Sequence, residues 1–67
     1  MLKITVNGED KEFQDGATIE QILDTLQVKD KVMAAAVNME VVKKENWSSF
    51  SPNDDDKLEL LQFVGGG

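Results

Sequence analysis

The sequence contains no cysteine and no histidine. Their absence excludes disulfide bridges, thiol nucleophiles, imidazole bases and the metal sites that depend on those side chains. Basic residues are also few, with 7 Lys and Arg against 13 Asp and Glu and a net charge of −6. Binding to nucleic acid requires clustered Lys or Arg, so that function class is not expected. The negative charge favours solubility and a partner with a basic cleft.

Long apolar runs and metal-ligand motifs are missing as well. No stretch approaches the ~20 apolar residues that a membrane-spanning helix needs, and no signal-peptide pattern opens the chain. We therefore expect a cytoplasmic protein with no membrane partner. Three consecutive Asp residues at 54–56 lack the alternating spacing, the glycine and the distal glutamate of a calcium loop. No bound metal or cofactor is predicted for the chain itself.

The first quarter of the chain predicts a β-hairpin. Leu2, Ile4 and Val6 alternate with polar residues, which is typical of a strand with one buried face. Asn7-Gly8 follows, and this pair favours a type I′ turn because both residues tolerate positive φ. Residues 9–14 return as a more charged second strand, in which Phe13 is the one large apolar side chain.

A helix is predicted after the turn at Asp15-Gly16. Thr18 is placed as its N-cap, and Gln21 stands three residues later, which is the spacing of a capping box. The apolar residues repeat at helical spacing and form one core-facing stripe. They are Ile19, Ile22, Leu23 and Leu26.

The second half of the chain predicts three more strands, at 32–38, 41–43 and 57–64. In the first of these, Ala35 and Val37 are assigned to one face of the sheet, and Ala34 and Ala36 to the other. Trp47 and Phe50 lie in an irregular polar segment and are expected to plug the open side of a small core, with Trp47 in a structural role.

The last strand is expected to present two different faces. Leu58 and Leu60 share one parity and should join the core, whereas Leu61 and Phe63 share the other. A single helix covers only one face of a sheet, so Leu61 and Phe63 should lie on the open face, flanked by Ala34 and Ala36. An exposed apolar patch of this kind is typical of a docking surface.

The order hairpin, helix, two short strands and last strand predicts an α+β domain. We expect a mixed sheet of four to five strands crossed by one main helix, with the first and last strands parallel at the centre. This is the β-grasp, or ubiquitin-like, fold. A chain of 67 residues forms one domain, which we place at 1–64, with a flexible glycine tail at 65–67.

The glycine tail, Gly65-Gly66-Gly67, strengthens neither a strand nor a helix, because glycine loses the most backbone freedom on ordering and packs no side chain. Residues without Cβ can, however, thread a carboxylate into a narrow enzyme cleft. We therefore expect Gly67 to present its carboxylate to another enzyme's active site. The residues expected to contact that partner are Gly66, Gly65, Val64, Phe63, Leu61 and Ala36.

Over essentially its whole length the sequence resembles the ThiS family of sulfur carrier proteins. The resemblance is carried by Asn7-Gly8-Glu9, Thr18-Ile19-Glu20-Gln21-Ile22-Leu23, Ala34-Ala35-Ala36-Val37-Asn38, Val41-Val42, Trp47, the Asp-rich turn with Leu58-Glu59, and Val64-Gly65-Gly66-Gly67. One departure is Asp55, where the family pattern Asp-Gly-Asp has glycine.

The resemblance implies a protein co-substrate rather than an enzyme. A ThiF-like adenylyltransferase would use ATP and Mg to convert the Gly67 carboxylate into an acyl-adenylate. A sulfur donor such as a cysteine desulfurase would then supply the sulfur of a thiocarboxylate. A ThiG-like thiazole synthase would receive that sulfur for thiamin.

Other functions remain compatible with the sequence. The sulfur could serve molybdopterin, cysteine or homocysteine synthesis, since the acceptor is chosen by the partner's surface. The chain could also be a ubiquitin-like tag that is joined to protein lysines through Gly67. A passive β-grasp binding module, in which the glycines are only a linker, is the remaining alternative.

Overall fold

The computed structural model describes residues 1–62, which fold into a five-stranded mixed sheet with one α-helix against it. The strands and the helix are β1 (Leu2–Val6), β2 (Glu9–Phe13), α1 (Ile19–Leu26), β3 (Val32–Val37), β4 (Glu40–Val42) and β5 (Lys57–Gln62). The predicted boundary between a domain at 1–64 and a tail at 65–67 lies outside the described residues. Within the described range, no helix has the length and apolar character needed to cross a membrane.

The N-terminal hairpin forms as the alternation predicts. Leu2, Ile4 and Val6 are buried, and β1 pairs antiparallel with β2 from Leu2↔Phe13 to Val6↔Glu9. Asn7 and Gly8 have φ values of 50° and 86°, the positive values that a type I′ turn requires at both central positions.

Helix α1 begins at the predicted capping box. The Thr18 hydroxyl accepts a hydrogen bond from the Gln21 N–H at 3.2 Å, and the Gln21 side-chain oxygen accepts one from the Thr18 N–H at 2.9 Å. These bonds satisfy two of the backbone donors that a helix N-terminus leaves unpaired. The apolar stripe packs on the sheet, where Ile19, Ile22 and Leu23 are fully buried.

The sheet has the strand order β2-β1-β5-β3-β4. β1 and β5 are parallel neighbours, with Thr5 opposite Lys57 and Val6 opposite Leu58. The other neighbouring pairs are antiparallel. The predicted parallel pair at the centre of a mixed sheet is therefore confirmed, because the crossover through α1 and β3 is long enough to return the chain in the same direction.

Strand β3 contains a bulge that the sequence pattern does not show. Strict alternation from Ala35 would place Met33 in the core and Val32 on the open face. In the structure Val32 pairs with Gln62 and Ala34 pairs with Leu61, so Met33 is an extra residue in the ladder. Val32 is consequently buried, whereas Met33 is 55% exposed on the far side.

Strand β4 begins one residue earlier than predicted. Asn38 and Met39 form a tight turn with φ values of 51° and 73°, which brings Glu40 opposite Val37. Trp47 is buried as expected, and its indole N–H donates a hydrogen bond to the Val42 carbonyl at 2.9 Å. Phe50 covers the core less completely than predicted and is 37% exposed.

Candidate functional site

The strand that leads towards the glycine tail occupies the centre of the sheet. β5 lies between β1 and β3, and its inward side chains, Leu58 and Leu60, are buried in the core. Leu61 points to the opposite side and is 61% exposed. The two faces predicted for this strand are thus confirmed over the part that the structure describes.

Two of the predicted partner-contact residues lie together on the face of the sheet that α1 does not cover. Leu61 is opposite Ala34, and Ala36 on the same side of β3 is opposite Glu59. The other predicted site residues, Phe63, Val64, Gly65, Gly66 and Gly67, lie outside the described residues. The structure therefore shows where Leu61 and Ala36 lie, and contact of any of these residues with a partner stays a prediction.

The uncovered side carries a larger apolar patch than strand parity in the sequence predicts. We define the outer apolar face as Met33, Ala34, Ala36, Val41 and Leu61. Val41 is 74% exposed and sits opposite Ala36 on β4. Alternation within Val41-Val42 could have assigned Val41 to this face, whereas Met33 reaches it only because of the bulge.

A shallow hollow of about 310 Å³ opens in the outer apolar face. Ala34 and Ala36 form its half-buried floor, and the exposed Val41 and Leu61 rise on either side. Glu59, also exposed, is its one charged lining residue within the described range. A surface of this composition can bind another protein, and among its described lining side chains only the Glu59 carboxylate could accept a proton.

The Asp-rich turn before β5 has a structural role. The Asp54 carboxylate accepts a hydrogen bond from the Lys3 N–H at 2.7 Å, and the Asp56 carboxylate accepts one from the Asn53 N–H at 2.8 Å. Asp55 has a φ of 70°, in the left-handed region that favours glycine. Within residues 1–62, no group of acidic side chains is arranged to hold a metal ion.

Two asparagine side chains hold β5 against its neighbours, one at Lys57 and one at Leu60. The Asn7 side-chain oxygen accepts a hydrogen bond from the Leu60 N–H at 2.7 Å, just beyond the end of β1. The Asn38 side chain accepts from the Lys57 N–H and donates to the Asp56 carboxylate, both at 3.0 Å. β5 is therefore held on the β1 side by Asn7 and on the β3 side by Asn38, at positions that precede residues 63–67 in the chain.

A lysine with a raised pKa lies on the helix side of the molecule. The Lys29 ammonium is 3.2 Å from the Glu20 carboxylate, and this hydrogen bond, together with the charges of Asp24 and Glu20, raises the pKa of Lys29 above its ordinary value. The pair is partly exposed and links α1 to the turn that follows it, away from the outer apolar face.

Comparison with protein families gives a match over residues 4–67 to the model of the ThiS family. The sulfur carrier protein ThiS of Bacillus subtilis is 32% identical over 65 residues, which cover 96% of this chain and 98% of that protein. The sulfur carrier protein ThiS of Escherichia coli is 27% identical over 66 residues.

A thiazole synthase of Paramagnetospirillum magneticum is 38% identical over 66 residues, which cover 98% of this chain. The chain spans only 20% of the length of that relative.

The solved structures show the same architecture. The crystal structure of the thiamine biosynthesis protein ThiS from Geobacter metallireducens superposes with a TM-score of 0.76 and 28% identity, covering 98% of this chain and 100% of that one. The five-stranded sheet with one helix is thus the β-grasp arrangement predicted from the sequence.

Proposed function

Because the chain belongs to the ThiS family, we propose that it is a sulfur carrier protein of thiamine biosynthesis that carries sulfur on its C-terminal glycine, Gly67. The observation that supports this most strongly is the family match, which extends over residues 4–67 and so includes the glycine tail. The outer apolar face supports the proposal independently, because a carrier must dock on the enzymes that load and unload it.

The chemistry proposed for Gly67 follows from the low reactivity of a carboxylate. A ThiF-like adenylyltransferase uses ATP and Mg to convert the carboxylate into an acyl-adenylate, and AMP is then a good leaving group. A persulfide sulfur, supplied by a cysteine desulfurase, attacks the carbonyl carbon and displaces AMP. Reductive cleavage of the acyl persulfide by a thiol leaves the thiocarboxylate. The carrier has no histidine or cysteine, so we assign the catalytic groups of these steps to its partners.

The body of the protein contributes recognition. Leu61 and Ala36 lie on the outer apolar face, and we propose that this face, together with Phe63, contacts the adenylyltransferase. Val64, Gly65 and Gly66 would then pass through the channel that leads to the nucleotide. The side chains of Asn38 and Asn7 hold β5 itself in place, through the Lys57 and Leu60 N–H groups, beside the outer apolar face.

A ThiG-like thiazole synthase is the proposed sulfur acceptor. Nearly the whole of this chain matches a segment of a thiazole synthase from Paramagnetospirillum magneticum that makes up 20% of that protein. A second thiazole synthase, from Magnetococcus marinus, shows the same coverage at 32% identity. A carrier-like segment within the synthase polypeptide supports a direct transfer of sulfur between the two.

Intact-mass spectrometry tests the proposal. The chain is incubated with the ThiF-like adenylyltransferase, Mg-ATP, a cysteine desulfurase, cysteine and a reducing thiol. The expected product is heavier by the difference between one sulfur and one oxygen atom, and a chain shortened by Gly66 and Gly67 should give no such product. A ladder of protein conjugates would support the modifier function instead, and an unchanged mass would contradict both.

A further inference from the structure

The shape of the hollow in the outer apolar face is set by its small floor residues. Ala34 and Ala36 end at Cβ, whereas Val41 and Leu61 on the flanking strands extend further from the sheet. The result is a recess of about 310 Å³ between two branched side chains. Interfaces concentrate their binding energy where a large side chain fills such a recess and water is excluded around it.

Among the residues that line the hollow, the only charged side chain in the described range is negative. Glu59 lies on β5 opposite Ala36 and, like Leu61, faces away from the core. It takes part in none of the ion pairs found within residues 1–62. Lys43 and Lys57 are exposed but do not line the hollow. An incoming group therefore meets apolar walls and one carboxylate that lacks an ion-pair partner in the described part of the chain.

We propose that the hollow receives one large apolar side chain of the adenylyltransferase, and that an arginine or lysine beside that side chain pairs with Glu59. This inference rests on the proposed function, since it specifies the surface that the loading enzyme must present. Docking would remove Glu59 from water on the side facing the partner, and a basic group is then required to avoid an unpaired carboxylate. Arginine suits the position because its planar guanidinium can bind a carboxylate with two parallel hydrogen bonds.

The net charge of −6 acts in the same direction. It attracts a basic surface over several ångströms, while the hollow determines where the contact forms. The affinity should therefore fall with added salt, and removal of the Glu59 charge should make that fall less steep.

Paired variants test the inference by calorimetric titration with the ThiF-like adenylyltransferase at low and high salt. Glu59→Gln should raise the Kd about tenfold and flatten its salt dependence. Glu12→Gln removes the same charge from β2, at the far edge of the sheet, and should leave the Kd within about twofold.

A second pair of variants tests the recess itself. Ala36→Leu fills the hollow and should raise the Kd more than about tenfold. Thr5→Leu adds the same side chain on β1 and should have little effect. Thermal unfolding of all four variants checks that each remains folded.

The outcomes separate this inference from the proposed function. If Glu59→Gln and Ala36→Leu bind like the unmodified chain, and all form thiocarboxylate equally well, the inference is overturned and the function stands. If the unmodified chain neither binds the enzyme nor forms thiocarboxylate, both are overturned. Concentration-dependent dimerisation that Ala36→Leu abolishes would identify a second copy of the chain as the occupant and would also overturn the inference.

Discussion

Replacing Leu61 by Asp should impair partner docking far more than folding, whereas the same change at Leu60 should unfold the protein. Leu61 is 61% exposed on the outer apolar face, and Leu60 is 9% exposed in the core. Complete burial of a leucine contributes ~1.5–3 kcal/mol, so loss of the partly buried Leu61 side chain should lower the free energy of unfolding by about 1 kcal/mol. The poor strand propensity of Asp should lower it by up to ~1 kcal/mol more.

The cost at Leu60 is much larger. Truncating a buried leucine alone costs ~2–5 kcal/mol, and an unpaired carboxylate in the core adds several kcal/mol more. Small domains are stable by ~5–15 kcal/mol, and a chain of 67 residues belongs near the lower end of that range. Leu60→Asp should therefore be largely unfolded at 25 °C, whereas Leu61→Asp should retain a cooperative transition.

Urea denaturation followed by the fluorescence of Trp47 measures both effects, because this single tryptophan is buried in the core. Calorimetric titration of Leu61→Asp with the ThiF-like adenylyltransferase measures the effect of the substitution on the Kd. Equal losses of unfolding free energy at the two positions would show that the faces of β5 are wrongly assigned. A Kd close to that of the unmodified chain would remove Leu61 from the docking surface.

Three further predictions concern stability. Thr18→Ala should lower the free energy of unfolding by about 1 kcal/mol, measured in urea, because it removes the capping box; a loss below ~0.3 kcal/mol would contradict that role. Asp55→Gly should raise the free energy of unfolding by ~0.5–1 kcal/mol, because glycine accepts a φ of 70° without strain. Asp54→Gly should instead lower the free energy of unfolding, because it removes the hydrogen bond from the Lys3 N–H. The folded pKa of Lys29 is raised above its ordinary value of 10.5, so the Lys29–Glu20 pair stabilises the fold fully below pH 10.5 and loses this effect as the pH rises through the folded pKa. An NMR titration should show a lower pKa for Lys29 in Glu20→Gln. An unchanged pKa would refute the assigned cause.

Local patterns predicted most of the fold because their physical causes are local. The Asn7-Gly8 turn, the Thr18 capping box and the helical stripe each depend on residues within a few positions of one another. The parallel pairing of β1 with β5 was predicted because the connection between these strands is long enough to return the chain in the same direction. The β3 bulge could not be predicted, because residues 32–37 are all apolar and alternation gives no signal there.

The same distinction applies to the candidate site. Leu61 was identified from strand parity, because the alternation from Lys57 to Leu60 defines which face of β5 is inward. Ala36 was assigned by the same parity from Ala35 and Val37, which lie beyond the bulge in β3. Met33 was missed, since it reaches the outer apolar face only through the extra residue in β3. The link from Asn7 to Leu60 was also missed, because it joins residues 53 positions apart through one side-chain hydrogen bond.

The most direct test of the carrier function compares two forms of the same chain, one ending in the Gly67 carboxylate and the other in a C-terminal amide. Both should fold identically and bind the adenylyltransferase, since the outer apolar face is the same in each. With Mg-ATP, the sulfur-donating system, thiazole synthase and its substrates, thiazole should form with the carboxylate form and not with the amide. Equal thiazole formation from the two would contradict the claim that sulfur travels on the carboxyl group of Gly67.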